Sequence, residues 1–195
     1  SVIFAVRGIL LSDSDSIKYA ISGIQDVVVI TDSGDGFYKD GSFIQHDNIP
    51  YNCGYGRSLI QELAPMLYTF KDTEFEIKNT DIINTWVEKS YLPFIYNGRT
   101  MDMVRGREIS RYYEQSDFAC SRILSAMLIL TELSEFDILR SVIKTHLTDS
   151  FFEYASLFAV ELAEGLQEDD NIEPKEIKPY FMAFNSMDRA VKHGN

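Results

Sequence analysis

The chain has 195 residues, of which 45% are hydrophobic and 13% aromatic, enough to bury a sizeable core as one domain or part of a larger one. Eighteen basic residues against thirty acidic ones give a net charge of -12, which argues against general nucleic-acid binding and against an anionic membrane surface. No apolar run reaches the roughly 18 residues of a membrane span, no charged stretch followed by an apolar signal core opens the sequence, and two cysteines, Cys53 and Cys120, make no disulfide framework and lack metal-ligand spacing.

Residues 1–11 carry Ile3, Phe4, Val6, Ile9 and Leu10, dense enough for a buried helix or a short strand, and are read as the tail of a helix. Ser12 and Asp13 then offer an N-cap. Ile17, Ala20, Ile21, Ile24, Val27 and Val28 follow at three- and four-residue intervals, which predicts an amphipathic helix whose end is blurred by the β-branched run to Ile30.

The stretch Gly34–Gly56 has neither helical nor strand periodicity. Glycine would make it a flexible connector, but Phe37, Tyr38, Phe43, Ile44 and Tyr51 need burial, so it reads as an ordered functional loop; the bland alternative is a packed surface loop whose His46 and Tyr55 only satisfy hydrogen bonds. Beyond it, Leu59, Ile60, Leu63, Met66, Leu67 and Phe70 form a helical stripe that Pro65 is expected to kink or end near Ala64. Asn79 or Thr80 caps the next helix, which carries Ile82, Ile83, Trp86 and Val87 and ends near Pro93. Trp86 is read as core, with a sugar-stacking platform as the sharper alternative.

Asn97-Gly98 marks a turn. Arg99–Arg111 holds four arginines against Asp102 and Glu108, the strongest basic concentration in an acidic chain. A helix starting there would set Arg107 and Arg111 on one face, a fork suited to carboxylates; a salt-bridged helix start is the alternative. From Ser116 onward apolar residues crowd all sides of a helix, which predicts one enclosed by others. Two further stripes follow, Phe136 to Leu147 and Phe152 to Leu166, joined by short linkers; His146 is read as a core-edge residue. Glu161–Glu176, with seven acids and one lysine, reads as a solvated link and not a metal site, and Pro179–Phe184 as a strand.

Three motifs are specific enough to name a family. Asp40-Gly-Ser-Phe-Ile-Gln-His46, Tyr51-Asn-Cys-Gly-Tyr55-Gly56 and Met101-Asp-Met-Val-Arg-Gly-Arg107-Glu-Ile-Ser-Arg111 resemble the catalytic region of the polysaccharide lyases that include hyaluronate, chondroitin AC and xanthan lyases, family 8, in the same order and with the His-to-Tyr interval of nine kept. Phe184–Arg189 resembles the start of that family's β-sandwich region. The resemblance implies a mainly α fold: residues 1–172 as the second half of an incomplete α/α toroid, and residues 173–195 as a linker and the first strand of a β-rich domain. It implies His46 and Tyr55 as the catalytic pair, Arg107 and Arg111 as arginines supporting the tyrosine and the substrate, and Arg105 and Asn48 as substrate contacts. No cofactor or metal is implied. The implied partners are an anionic polysaccharide, with neither nucleic acid nor membrane insertion, and the rest of the toroid and β domains; the implied setting is secreted or cell-surface. The family also uses a carboxylate-binding asparagine and a guiding aromatic patch expected before Ser1, and a glutamate expected after Asn195.

The chemistry needs these residue types. Eliminative cleavage of a uronate polymer removes the C5 proton beside a carboxylate and expels the oxygen on C4, so the carboxylate must be neutralised by amide or guanidinium donors. An imidazole accepts a proton near neutral pH and a phenol donates one. A guanidinium beside a phenol favours phenolate, so Tyr55 serves either as acid to a His46 base or as base and then acid. Glycoside hydrolysis through paired carboxylates among Asp35, Asp40 and Asp47 is the enzymatic rival. A carbohydrate-binding module without activity is the other.

Overall fold

A computed structural model describes residues 2–78, 80–133, 136–175 and 178–194. Two helices open the chain, α1 (Val2–Leu11) and α2 (Ser14–Gln25). The Asp13 side chain accepts from the Ser16 backbone N–H at 3.2 Å and so caps α2. Gly8 lets the pair close up, since a Cβ there would lie 2.6 Å from Ile17 Cγ1. Helix α2 stops at Gln25, and Val28 is buried outside it.

Next come three short antiparallel strands, β1 (Gly36–Phe37), β2 (Phe43–Gln45) and β3 (Ile49–Pro50), and a π-helical turn, Asn52–Gly56, that runs into α3 (Arg57–Phe70). Pro65 does not break α3. An interior proline costs a helix about 3 kcal/mol, but α3 buries Ile60, Leu63, Met66, Leu67 and Phe70, each contributing about 1.5–3 kcal/mol; tertiary packing wins. Helix α4 (Asp81–Trp86) follows with Thr80 at its N-cap position, while Asn79, the other expected cap, lies outside the described residues. It passes through a π-helical turn, Val87–Tyr91, and a 3₁₀ turn to the hairpin β4 (Ile95–Tyr96) and β5 (Arg99–Thr100). Asn97 and Gly98 take left-handed backbone, φ 48° and 71°, the two-residue turn that an Asn-Gly pair favours.

Helix α5 (Ser116–Leu130) is enclosed as expected. It presents Cys120, Ile123, Leu124, Met127, Leu128 and Leu130, all buried, and packs against α3, α6 (Leu139–His146), α7 (Asp149–Tyr154) and α8 (Leu157–Glu168). The stripe expected to run from Phe152 to Leu166 is two helices, because the first ends at Tyr154, where Ala155 turns extended, and Ser156 caps the second by accepting from the Ala159 N–H. The acidic run is likewise divided: to Glu168 it belongs to α8, and only Asp169 onward is a link, with Glu176 outside the described residues. His146 is almost fully buried, and burial together with the neighbouring His193 pushes its pKa down.

Strand β6 (Tyr180–Phe184) pairs with β7 (Arg189–His193) in an antiparallel hairpin, Met182 opposite Val191. Phe184 packs on Phe94 at 4.6 Å and His193 Nε2 meets the Pro93 carbonyl at 3.0 Å, which ties the hairpin to the helical part. No described helix is long and apolar enough to cross a membrane.

Candidate active site

The site rests on a knot of buried polar bonds beneath a small sheet. Asn52, fully buried, donates to the carbonyls of Gly41 (2.8 Å) and Ser90 (2.9 Å) and accepts from the Phe43 N–H (3.3 Å), so one amide joins the sheet, the π-helical turn and the turn after α4. The Tyr91 hydroxyl donates to the Gly56 carbonyl at 2.6 Å; burial pushes that phenol's pKa well up, so it stays a donor. Trp86 stacks on Phe37 at 4.2 Å with 1% of its surface exposed, which makes it core and not a sugar platform.

The β2–β3 turn carries His46, Asp47 and Asn48, all exposed. His46 and Asp47 sit in left-handed backbone, φ 54° and 71°, a conformation that must be held by its surroundings. Asn48 donates its backbone N–H to the His46 carbonyl at 2.9 Å.

Tyr51 is the support on which the site is built. Fully buried, it lies edge-on to the rings of His46 (6.1 Å) and Tyr55 (4.9 Å), and its hydroxyl accepts from the Arg107 backbone N–H at 2.9 Å. Two glycines make room for the ring: a Cβ at Gly54 would lie 2.4 Å from Tyr51 Cδ1, and one at Gly106 only 2.2 Å from Tyr51 Cζ. The sequence reading gave Tyr51 no role beyond burial. Its signal was the set of glycines around it, whose missing side chains leave space for a ring.

Tyr55, half-buried in the π-helical turn, stands edge-on to His46 with ring centres 5.4 Å apart. Exposed Arg107 extends Nη2 to the Tyr55 hydroxyl at 3.2 Å. Two neighbouring segments nine residues apart and a third 52 residues on thus bring imidazole, phenol and guanidinium to one open face. A cleft of about 1030 Å³, lined by Tyr96, Arg99, Thr148 and Lys192 among others, lies elsewhere and is bordered by none of the three.

The arginine segment departs from expectation. It forms 3₁₀ turns at Asp102–Val104 and Gly106–Ser110, and Arg111 is already extended, so no α-helical face presents Arg107 and Arg111 together. Arg111 turns to Glu114 and Glu108, and its hydrogen bond to Glu114 raises its pKa. Arg105, expected at the substrate, is 1% exposed; its guanidinium is bound to the Asp102 carboxylate and to the Glu114 carbonyl, so it braces the loop from inside. Glu108 also holds buried Arg57 at 3.2 Å.

Other chemistry is disfavoured. Cys53 is fully buried, and desolvation pushes its thiol pKa far up despite the nearby charges of Arg105 and Arg57, so no thiolate forms. Asp40 is taken up by the backbone N–H groups of Ser42 (2.9 Å) and Ser186 (2.8 Å). Burial alone would raise its pKa, but these bonds and the two serine hydroxyls outweigh it and hold the carboxyl below its ordinary value. Among the described residues no His, Cys, Asp and Glu group is arranged to hold a metal ion.

Comparison with known proteins gives a consistent result. The sequence model of the N-terminal α-helical domain of polysaccharide lyase family 8 matches residues 1–145. A xanthan lyase of Bacillus sp. (strain GL1) is 30% identical over 98% of this chain, which covers 22% of that protein. A hyaluronate lyase of Thermasporomyces composti is 33% identical over 96% of the chain, covering 25% of its length. Among solved structures, a Paenibacillus xanthan lyase superposes with a TM-score of 0.93 at 31% identity, over 97% of this chain and 19% of that one. A chondroitin AC lyase of Streptomyces coelicolor A3, solved in complex with chondroitin sulphate, gives 0.84 at 25% identity, over 97% and 28%. The chain spans about a quarter or less of the length of the relatives it matches.

Proposed function

The chain belongs to polysaccharide lyase family 8, and we propose that it carries the acid–base machinery for β-eliminative cleavage of a uronate-containing polysaccharide, hyaluronan or chondroitin. One observation carries the proposal: the Arg107 guanidinium lies 3.2 Å from the Tyr55 hydroxyl, whose ring stands 5.4 Å from that of His46.

In a glucuronate the C5 hydrogen and the C4 oxygen lie on the same side of the bond that joins C4 and C5, so one phenol reaches both. Tyr55, acting as the phenolate, takes the C5 proton; the electron pair left behind forms the C4–C5 double bond as the C4–O bond breaks; Tyr55, now the phenol, gives that proton to the departing oxygen and returns to the phenolate. Arg107 stabilises the phenol oxygen while its proton is away, the logic of charge stabilisation placed in advance. His46, in hydrogen-bonding reach of a sugar on the same open face, orients the ring. Arg107 also supplies an exposed positive charge for a polyanion in a chain whose net charge is -12.

A polymer of this kind does not pass a bilayer, so the action is placed outside the cell, secreted or surface-bound. Residues 1–172 are assigned to the second half of the helical toroid, and residues 173–195 to the linker and the opening of a β-rich domain. The hairpin β6–β7 and its anchoring through Asp40, Phe94 and Pro93 support that division.

The test is incubation of the full-length protein with hyaluronan, chondroitin and xanthan, followed by the ultraviolet absorbance of the C4–C5 double bond. A rise with at least one polymer is expected. New reducing ends without that absorbance would assign the site to hydrolysis instead.

A further inference from the structure

Resting on the lyase reading, we infer that Asp35 is a positioning residue for His46. Its carboxylate bridges the turn that carries the imidazole: Oδ1 accepts from the Asp47 backbone N–H at 3.1 Å, and Oδ2 from Gln45 Nε2 at 2.5 Å. These are the residues on either side of His46. Between them the backbone takes two successive left-handed residues, His46 and Asp47. Left-handed backbone is uncommon outside glycine, and although His and Asp accept it better than most residues, contacts from outside the turn favour two such residues in succession. Within the turn itself the Asn48 N–H to His46 carbonyl bond contributes, but Asp35 reaches in from beyond β1, ten and twelve residues away from its two partners.

Asp35 is itself anchored. The Tyr38 hydroxyl donates to the Gly34 carbonyl at 2.7 Å, the Thr31 hydroxyl to the Ser33 carbonyl at 2.6 Å, and Gly36 is paired with Ile44 across β1 and β2. The carboxylate is therefore a fixed bracket, exposed to solvent, with both oxygens occupied. Its function follows from what it fixes: the direction of the His46 side chain towards Tyr55, 5.4 Å away. A substrate held about 1 Å out of place can cost up to a hundredfold in rate.

Two substitutions in the full-length protein separate the bracket from its charge. Asp35→Ala removes both acceptors, whereas Asp35→Asn keeps an oxygen for the Asp47 N–H, and the Gln45 amide can turn to meet the new NH₂ group. Asp35→Ala is expected to lower kcat by about tenfold or more, with KM within about twofold and an unchanged thermal midpoint, because the loss is one of geometry at a surface turn. Asp35→Asn is expected to stay within about threefold of the unsubstituted protein and to keep the acid limb of the pH–rate profile. Hydrogen exchange at the Asp47 amide gives a readout independent of activity: about tenfold faster in Asp35→Ala, near normal in Asp35→Asn. Wild-type kcat and Asp47 protection in Asp35→Ala would overturn the inference. So would an Asp35→Asn variant as impaired as Asp35→Ala with its acid limb displaced, since charge and not the bracket would then be at work. If the unsubstituted protein forms no unsaturated product, the lyase reading falls, and Asp47 exchange alone decides whether Asp35 holds the turn.

Discussion

Helices α3 and α5 bury Ile60, Leu63, Ile123 and Leu124 in an interface where each apolar side chain is one of many. The loops that carry His46, Tyr55 and Arg107 are held differently: by Asn52 with three hydrogen bonds, by the Tyr51 hydroxyl on one backbone N–H, and by glycines with no room for a methyl group. Non-directional burial tolerates a lost methylene. Directional bonds and filled space do not, so the site region should be brittle to single changes that the helical layer absorbs.

The sharpest form of that contrast is catalytic. Under the proposed mechanism Tyr55→Phe lowers product formation by about a hundredfold or more, the lower end for an acid–base group, and His46→Ala by up to about a hundredfold through lost orientation of the sugar, while thermal midpoints stay near the parent's. Near-normal turnover in both would break the assignment. Arg107→Met should follow with a smaller loss of activity and little loss of stability, because its side chain is exposed and the scaffold uses its backbone, the N–H by Tyr51 and the carbonyl by Ser110; equal losses of both would mean that Arg107 serves packing.

Stability measurements compare the two regions directly. Gly106→Ala forces a side chain into left-handed backbone at φ 55° and into the Tyr51 ring, and should cost about 3 kcal/mol in denaturant unfolding. Tyr51→Phe leaves the Arg107 N–H without its acceptor and should cost about 1–2 kcal/mol. Ile123→Val in α5 should cost only about 1 kcal/mol. A ranking with Ile123→Val most damaging would reverse the comparison.

The smallest expected effect depends on pH. Asp40 has a folded pKa below the unfolded value of about 3.9. Its contribution is therefore present above that value and is lost as pH falls through the lower folded pKa. Asp40→Asn should thus be less stable than the parent at neutral pH, and the two thermal midpoints should converge as the solution is made strongly acidic. A gap that persists in acid would mean that the side chain acts through something other than its charge.

These contrasts also explain what the sequence made legible. Apolar stripes identified α2 and α3 because burial repeats with the helical period, apolar residues on all sides identified α5 as an enclosed helix, and Asn97-Gly98 announced its turn because few residues accept two left-handed positions. His46, Tyr55 and Arg107 were legible as motif residues, and the fold brings them to one face. Arg111 was expected beside Arg107 on one face and Arg105 at the substrate; the fold buries Arg105 and pairs Arg111 with Glu114 and Glu108, since a short polar stretch reads alike as an α-helix start and as 3₁₀ turns, and only three-dimensional packing decides between them. Tyr51 and Asn52 were passed over because their bonds reach partners up to 56 residues away and leave no period to detect. Pro65 misled in the opposite direction, a local signal overridden by the burial of α3.

The central claim is that the Tyr55 face performs elimination, and the mass of the products tests it most directly. Elimination adds nothing, so the fragments of a defined hyaluronan or chondroitin oligosaccharide should sum to the mass of the substrate, each cleavage leaving one unsaturated end, with fragments from the Tyr55→Phe variant reduced by about a hundredfold or more. Fragments that gain one water per cleavage would contradict the account and return the site to hydrolysis.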